Sequence, residues 1–150
     1  MPEDKLDHEP ENKIYSPFAI QLATFFGGPI VAGYLIAENF KLLGEPEKVR
    51  LTWLHTIIAS CLIFTAMFVI PGLKDIPPFI FPVIYSLVAS YLVRRYQGER
   101  IKVHIENNGQ FYSIWRAILV CVIVVLIMVI LIVILVVLSG DKDLLQKLSK

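Results

Sequence analysis

Residues 17–44 read PFAIQLATFFGGPIVAGYLIAENFKLLG, and the fold turns on how the Gly27-Gly28-Pro29 step in their middle is taken. Pro17 to Ala37 is 21 apolar residues long, enough for a helix to cross a hydrocarbon core of about 30 Å. Glycine and proline are nevertheless the poorest residues for a helix interior, and Pro29 withholds a backbone donor. In one reading, a continuous and central helix kinks at this step and touches neighbours on several sides. In the other, the helix breaks, Gly28 serves as a cap, and Pro29 opens a new half-helix whose free N–H groups face a buried site. Small residues recur around the step at i, i+4 spacing, as Ala23 with Gly27, Gly28 with Ala32 and Gly33 with Ala37. That spacing permits close backbone approach. Successive pairs are five residues apart and so rotate by about 140° on a helix of about 3.6 residues per turn, which spreads them over several faces.

Three further apolar stretches follow, Leu51 to Ile70, Ile76 to Val93 and Ala117 to Leu138. The chain is 56% hydrophobic and 18% charged, with a mean hydropathy of +0.66. An ordinary soluble domain is neither so apolar nor so sparsely charged. The expectation is an all-α integral membrane protein, a bundle of four transmembrane helices over residues 16–139 with spans at 17–37, 51–70, 76–93 and 117–138. Residues 1–15 form an acidic polar tail, expected to be mobile to about Tyr15, and residues 140–150 a polar C-terminal tail. The acidic leader has the wrong sign for a signal-peptide n-region, so the first span is expected to stay as an uncleaved anchor. No soluble catalytic domain fits in what remains.

The second and third spans are joined by PGLKD at residues 71–75, a turn short enough to make them antiparallel neighbours. The third opens IPPFIFP, so Pro77, Pro78 and Pro82 delay regular helix to near Phe79 and leave the span short or kinked. Residues 94–116 form the longest loop. Alternation of Ile101, Val103 and Ile105 with charged residues, followed by Asn108-Gly109, suggests a small β-hairpin there.

Four spans place both termini and the PGLKD turn on one side. The loops at 38–50 and 94–116, on the other, carry Lys41, Lys48, Arg50, Arg94, Arg95, Arg100, Lys102 and Arg116. Basic residues abutting spans mark the cytoplasmic face, so these loops are expected inside and both termini outside. Phe40, Trp53, Tyr96, Phe111, Tyr112 and Trp115 flank the same boundary. Within the loop, Arg94, Arg95, Tyr96, Arg100, Lys102, Tyr112, Trp115 and Arg116 form a basic-aromatic set suited to anionic lipid headgroups. Glu99 and Glu106, with a net charge of +1 overall, argue against nucleic acid as a partner.

Chemistry is sparse elsewhere. No acid or base lies near the middle of a span, and Glu38 and His55 are expected to meet as an interfacial polar pair. Histidines 8, 55 and 104 lack metal-ligand spacing, the two cysteines sit in apolar spans, and no catalytic signature occurs, so neither an enzyme nor a cofactor is expected. Tyr15-Ser16-Pro17, Gly27-Gly28-Pro29, Ala32-Gly33-Tyr34, Asn39-Phe40 and Leu43-Gly44, with Gly98, His104, Gly109, Ser113 and Trp115-Arg116, resemble a group of small bacterial multipass membrane proteins. That resemblance implies a bacterial inner-membrane location and carries no activity or functional residue. Two functions stay open. One is a non-enzymatic membrane component that oligomerises or docks a partner protein. The other is an oligomeric channel or small-solute transporter with a path near Gly27 to Pro29.

Overall fold

A computed structural model describes residues 13–139. Among them, four helices dominate: α1 (Pro17–Leu42), α2 (Glu47–Val69), α3 (Ile80–Glu106) and α4 (Ile114–Ser139). Two short strands, β1 (Lys13–Ile14) and β2 (Gln110–Phe111), pair in parallel. By length and composition alone, Pro17–Leu42, Glu47–Met67 and Ile114–Leu138 are long and apolar enough to cross a membrane. Helix α3 is apolar only as far as Val93, where Arg94 and Arg95 follow.

Helix α1 is folded back on itself. Ser16 caps its start, the hydroxyl accepting the Ala19 N–H at 3.1 Å, and Pro17 occupies the first turn, where no donor is lost. Helical geometry then fails at Gly28, with φ 75° and ψ −169°, a conformation essentially reserved for glycine. A continuous helix would hold residues 15 and 39 about 36 Å apart at about 1.5 Å per residue. Instead, the Tyr15 N–H donates to Asn39 Oδ1 at 2.7 Å. The two limbs, residues 17–27 and 29–42, therefore form a helical hairpin with Gly28 at its tip and both ends together. Ala19, Ile20 and Ala23 of the first limb share one buried core with Val31 and Leu35 of the second.

The break expected as one alternative is thus present, and its consequence exceeds the expectation. Residues 17–37 are therefore not one uninterrupted helix. Segment 13–16 lies at the end of the molecule that holds residues 39–45, and the PGLKD turn lies at the other.

The hairpin is the centre, and α2, α3 and α4 pack chiefly on it. A Cβ added at Gly33 would meet the Thr56 side chain of α2, and one at Gly27 would lie 2.9 Å from Cys121 Sγ of α4 and also against Val31. These glycines let backbones approach within the chain. Gly28 has no neighbour within 4 Å of such a Cβ, so its role is conformational, not close packing.

Helix α3 begins at Ile80, one residue from the expected start, with Pro82 still in its first turn. It then continues to Glu106, absorbing most of the expected loop. Asn108, at φ 62°, turns the chain, and the Gly109 N–H bonds back to His104 O at 2.8 Å. No β-hairpin forms in 94–116. Residues 110–111 pair instead with 13–14, and the Tyr112 N–H donates to Ile14 O at 2.8 Å. The mobility expected up to about Tyr15 does not hold for Ile14 and Tyr15, which are buried in the core. Residues 1–12 and 140–150, to which the two tail assignments mostly apply, lie outside the described residues.

Candidate functional site

The open end of the hairpin is closed by a buried polar clasp. Asn39 accepts the Tyr15 N–H at 2.7 Å and donates through Nδ2 to Tyr15 O at 2.8 Å and to Gln97 Oε1 at 3.3 Å. Gln97 Nε2 donates in turn to Ile36 O at 2.9 Å. Asn39 and Gln97 are fully buried, so two amides satisfy an extended strand and two helices where each unpaired group would be costly. Beside the clasp, the Tyr15 and Tyr112 rings lie 4.9 Å apart and the Arg116 guanidinium sits 3.9 Å over the Tyr112 ring. Burial raises the Tyr15 pKa from its ordinary value, while a hydrogen bond and charge attraction from Arg116 pull it partly back.

This clasp surrounds itself with cations. Glu45 pairs with Lys48 at 3.0 Å and with Arg100 at 3.3 Å, joining the α1–α2 turn to α3. Lys102 lies 3.7 Å from Glu99. Arg94, Arg95 and Tyr96 are exposed, and Trp115 is 77% exposed. The basic-aromatic residues singled out in the sequence thus gather at one end, with Arg94 to Lys102 on α3, Trp115 and Arg116 in the first turn of α4, and Tyr112 in the segment between these helices. Glu38 and His55 are not joined. The Glu38 carboxylate lies 3.9 Å from Lys41 Nζ, and His55 Nδ1 lies 2.7 Å from Leu51 O one turn earlier. Ala23, Ala32, Gly33 and Ala37 are buried along the limbs.

Beyond the tip lies a cavity of about 510 Å³. Its walls come from the tip itself (Gly27, Gly28, Pro29), from α2, from the connector after α2, from α3 and from α4. Among the described residues, no Asp, Glu, His, Lys or Arg lines it. One polar group on the wall stands out: Ser60 is 8% exposed, and its buried Oγ has no hydrogen-bond partner among the described residues.

Sequence reasoning missed the clasp and Ser60. The legible signal for the clasp was a pair of neutral amides, Asn39 and Gln97, each at the end of an apolar segment. Nothing in the sequence linked them to residue 15, because that contact exists only once α1 doubles back. No family model, curated protein or solved structure matches the chain.

Proposed function

We propose that the protein is a non-enzymatic membrane component in which α2, α3 and α4 cross the bilayer and α1 enters from the basic end as a re-entrant hairpin. The limbs of 11 and 14 residues would reach about 16 and 21 Å at about 1.5 Å per residue, short of a core of about 30 Å. Irregular backbone at that depth is tolerated where it lines a cavity, and Gly28 lines the space bordered by α2, α3 and α4. Arg94, Arg95, Arg100, Lys102 and Arg116 favour the cytoplasmic face and its anionic headgroups. This arrangement puts residue 13 inside and the end of α4 outside, in place of two outside termini.

The observation that carries the non-transport reading is the cavity behind the tip. A broken helix suggests a path for ions or polar solutes, yet among the described residues this cavity has no ionisable lining side chain except Tyr85. Gly27 and Gly33 are also engaged within the chain, which leaves the apolar outer faces of α2 and α4 to meet lipid or a partner.

Cysteine-accessibility labelling tests the topology, with both native thiols replaced and single reporters at residues 13, 46, 73 and 108. Residues 13, 46 and 108 on the cytoplasmic side, with 73 opposite, is the expected pattern. Residues 13 and 73 on one side would overturn the re-entrant reading. Ion or solute flux through vesicles holding the purified chain would overturn the non-transport reading.

A further inference from the structure

The clasp anchors the chain at Tyr15, and the direction of β1 fixes the side from which the preceding residues arrive. β1 lies parallel to β2, with Lys13 beside Gln110 and Ile14 beside Phe111. β2 leads from the Asn108-Gly109 turn at the end of α3 back to Tyr112 at the clasp. The chain therefore enters β1 from the side away from the clasp, toward the stretch of α3 between Gln97 and Glu106 that carries Arg100 and Lys102. We propose that residues 1–12 dock on the basic end as an internal acidic ligand, compete there with anionic lipid headgroups, and so set how strongly this end holds anionic lipid. The inference rests on the headgroup reading above and adds its regulation.

Charge is the first argument. Residues 1–12 carry Glu3, Asp4, Asp7, Glu9 and Glu11 against Lys5 alone. Residues 13–50 and 94–116, which supply the charged groups of the basic end, carry nine Lys and Arg against five Asp and Glu. Each set has an excess of four charges, and the signs are opposite. Pairing within the basic end does not remove its excess. Glu45 is shared between Lys48 and Arg100, and the Lys102–Glu99 pair is exposed and 3.7 Å long. Surface pairs of that kind hold weakly. Arg94 and Arg95 are exposed and make no ion pair among the described residues.

Reach selects the occupant. Twelve residues extend at most about 40 Å, whereas Arg94 to Glu106 covers about 18 Å of helix, so every cation on this part of α3 is in range. A covalent link this short holds its ligand at an effective concentration in the millimolar range. A separate acidic protein would use the same cations without that advantage. An anionic leaflet attracts the arginines and repels the acidic segment, which makes the two ligands rivals for one surface.

The test uses the full chain in lipid nanodiscs, with both native thiols replaced and spin labels at Leu6→Cys and Tyr96→Cys; Tyr96 is 63% exposed. In phosphatidylcholine the two labels should lie close. Their distance should lengthen when salt is raised to about 0.5 M, which shortens the range of charge attraction, or when phosphatidylglycerol is added. Association of spin-labelled phosphatidylglycerol is then read from quenching of Trp115 in a Trp53→Phe background. Neutralising the segment by Glu3→Gln, Asp4→Asn, Asp7→Asn, Glu9→Gln and Glu11→Gln should tighten that association about three- to tenfold, leave spin-labelled phosphatidylcholine unchanged, and lose the gain in high salt. A distance indifferent to salt and lipid, or an unchanged phosphatidylglycerol affinity in the neutralised chain, would overturn the proposal. Arg94→Gln combined with Arg95→Gln separates the two readings. If this variant loses phosphatidylglycerol affinity while neutralising residues 1–12 changes nothing, the internal ligand alone is rejected; if it keeps that affinity, the headgroup reading itself is rejected.

Discussion

Replacing Gly28 by the two enantiomers of alanine separates backbone conformation from every other contribution at the tip. The residue sits at φ 75° and ψ −169°, and a Cβ there has no neighbour within 4 Å. Steric collision with the rest of the protein therefore drops out. L-Alanine should cost about 1–3 kcal/mol, the strain of holding a residue with a Cβ in this region. For D-alanine the same angles are the mirror image of an ordinary extended conformation, so it should stabilise by about 0.4–1 kcal/mol through a less flexible unfolded chain. The gap between enantiomers is then roughly 1.5–4 kcal/mol, a tenfold or larger difference in the folding equilibrium. Semisynthetic chains unfolded in mixed micelles, followed by circular dichroism, would measure it. Spin labels at Phe18 and Lys41, both exposed, report the geometry directly. Packed limbs keep their axes about 10 Å apart, whereas an unbroken helix would separate these residues by about 35 Å. Equal stabilities for the two enantiomers, or a distance near 35 Å in the unsubstituted chain, would refute the hairpin argument.

Asn39→Leu should destabilise by about 3–5 kcal/mol, because it leaves the Tyr15 N–H and carbonyl and Gln97 Oε1 buried without their partner. Hydrogen exchange at the Tyr15 amide should accelerate with it, and unchanged protection would count against the clasp. Asn39→Leu and Gln97→Leu together should cost less than the two singly, since one bond is shared. Gly33→Ala should cost about 1–3 kcal/mol through overlap with Thr56, and Thr56→Ala should restore part of that in the same unfolding assay. Tyr15 has its pKa raised above the ordinary 10.0, so the folded chain keeps a proton that the unfolded chain has lost. Its contribution is complete below pH 10 and disappears as pH climbs through the raised value, and Tyr15→Phe should flatten that part of the stability curve.

The residues that announce a membrane protein do so through composition and run length, properties that survive without any knowledge of contacts. The 22 apolar residues from Ala117 to Leu138 form a helix wherever hydrocarbon surrounds them, since every backbone group must be satisfied within the segment. The late start of α3 was legible for a similar reason, because proline imposes its restriction locally. Charge placement likewise marked one end of the molecule, and Arg94, Arg95, Arg100, Lys102 and Arg116 do gather there.

Gly27-Gly28-Pro29 marks a different limit. Local chemistry says that the helix is weak at this step, but a kink and a reversal cost similar amounts locally. What decides between them is distant: the Asn39 amide, held by Gln97, captures Tyr15, Ile14 accepts the Tyr112 N–H, and Gly33 seats the second limb on Thr56. The same long-range pairing took residues 110–111 away from a hairpin of their own, because strand 13–14 was brought alongside and the preceding segment could continue as helix. Sequence alone established that the chain is apolar, helical and polarised in charge. Tertiary structure decided that its first helix turns back, because that outcome depends on hydrogen bonds between groups 24 to 98 residues apart, which local preference does not encode.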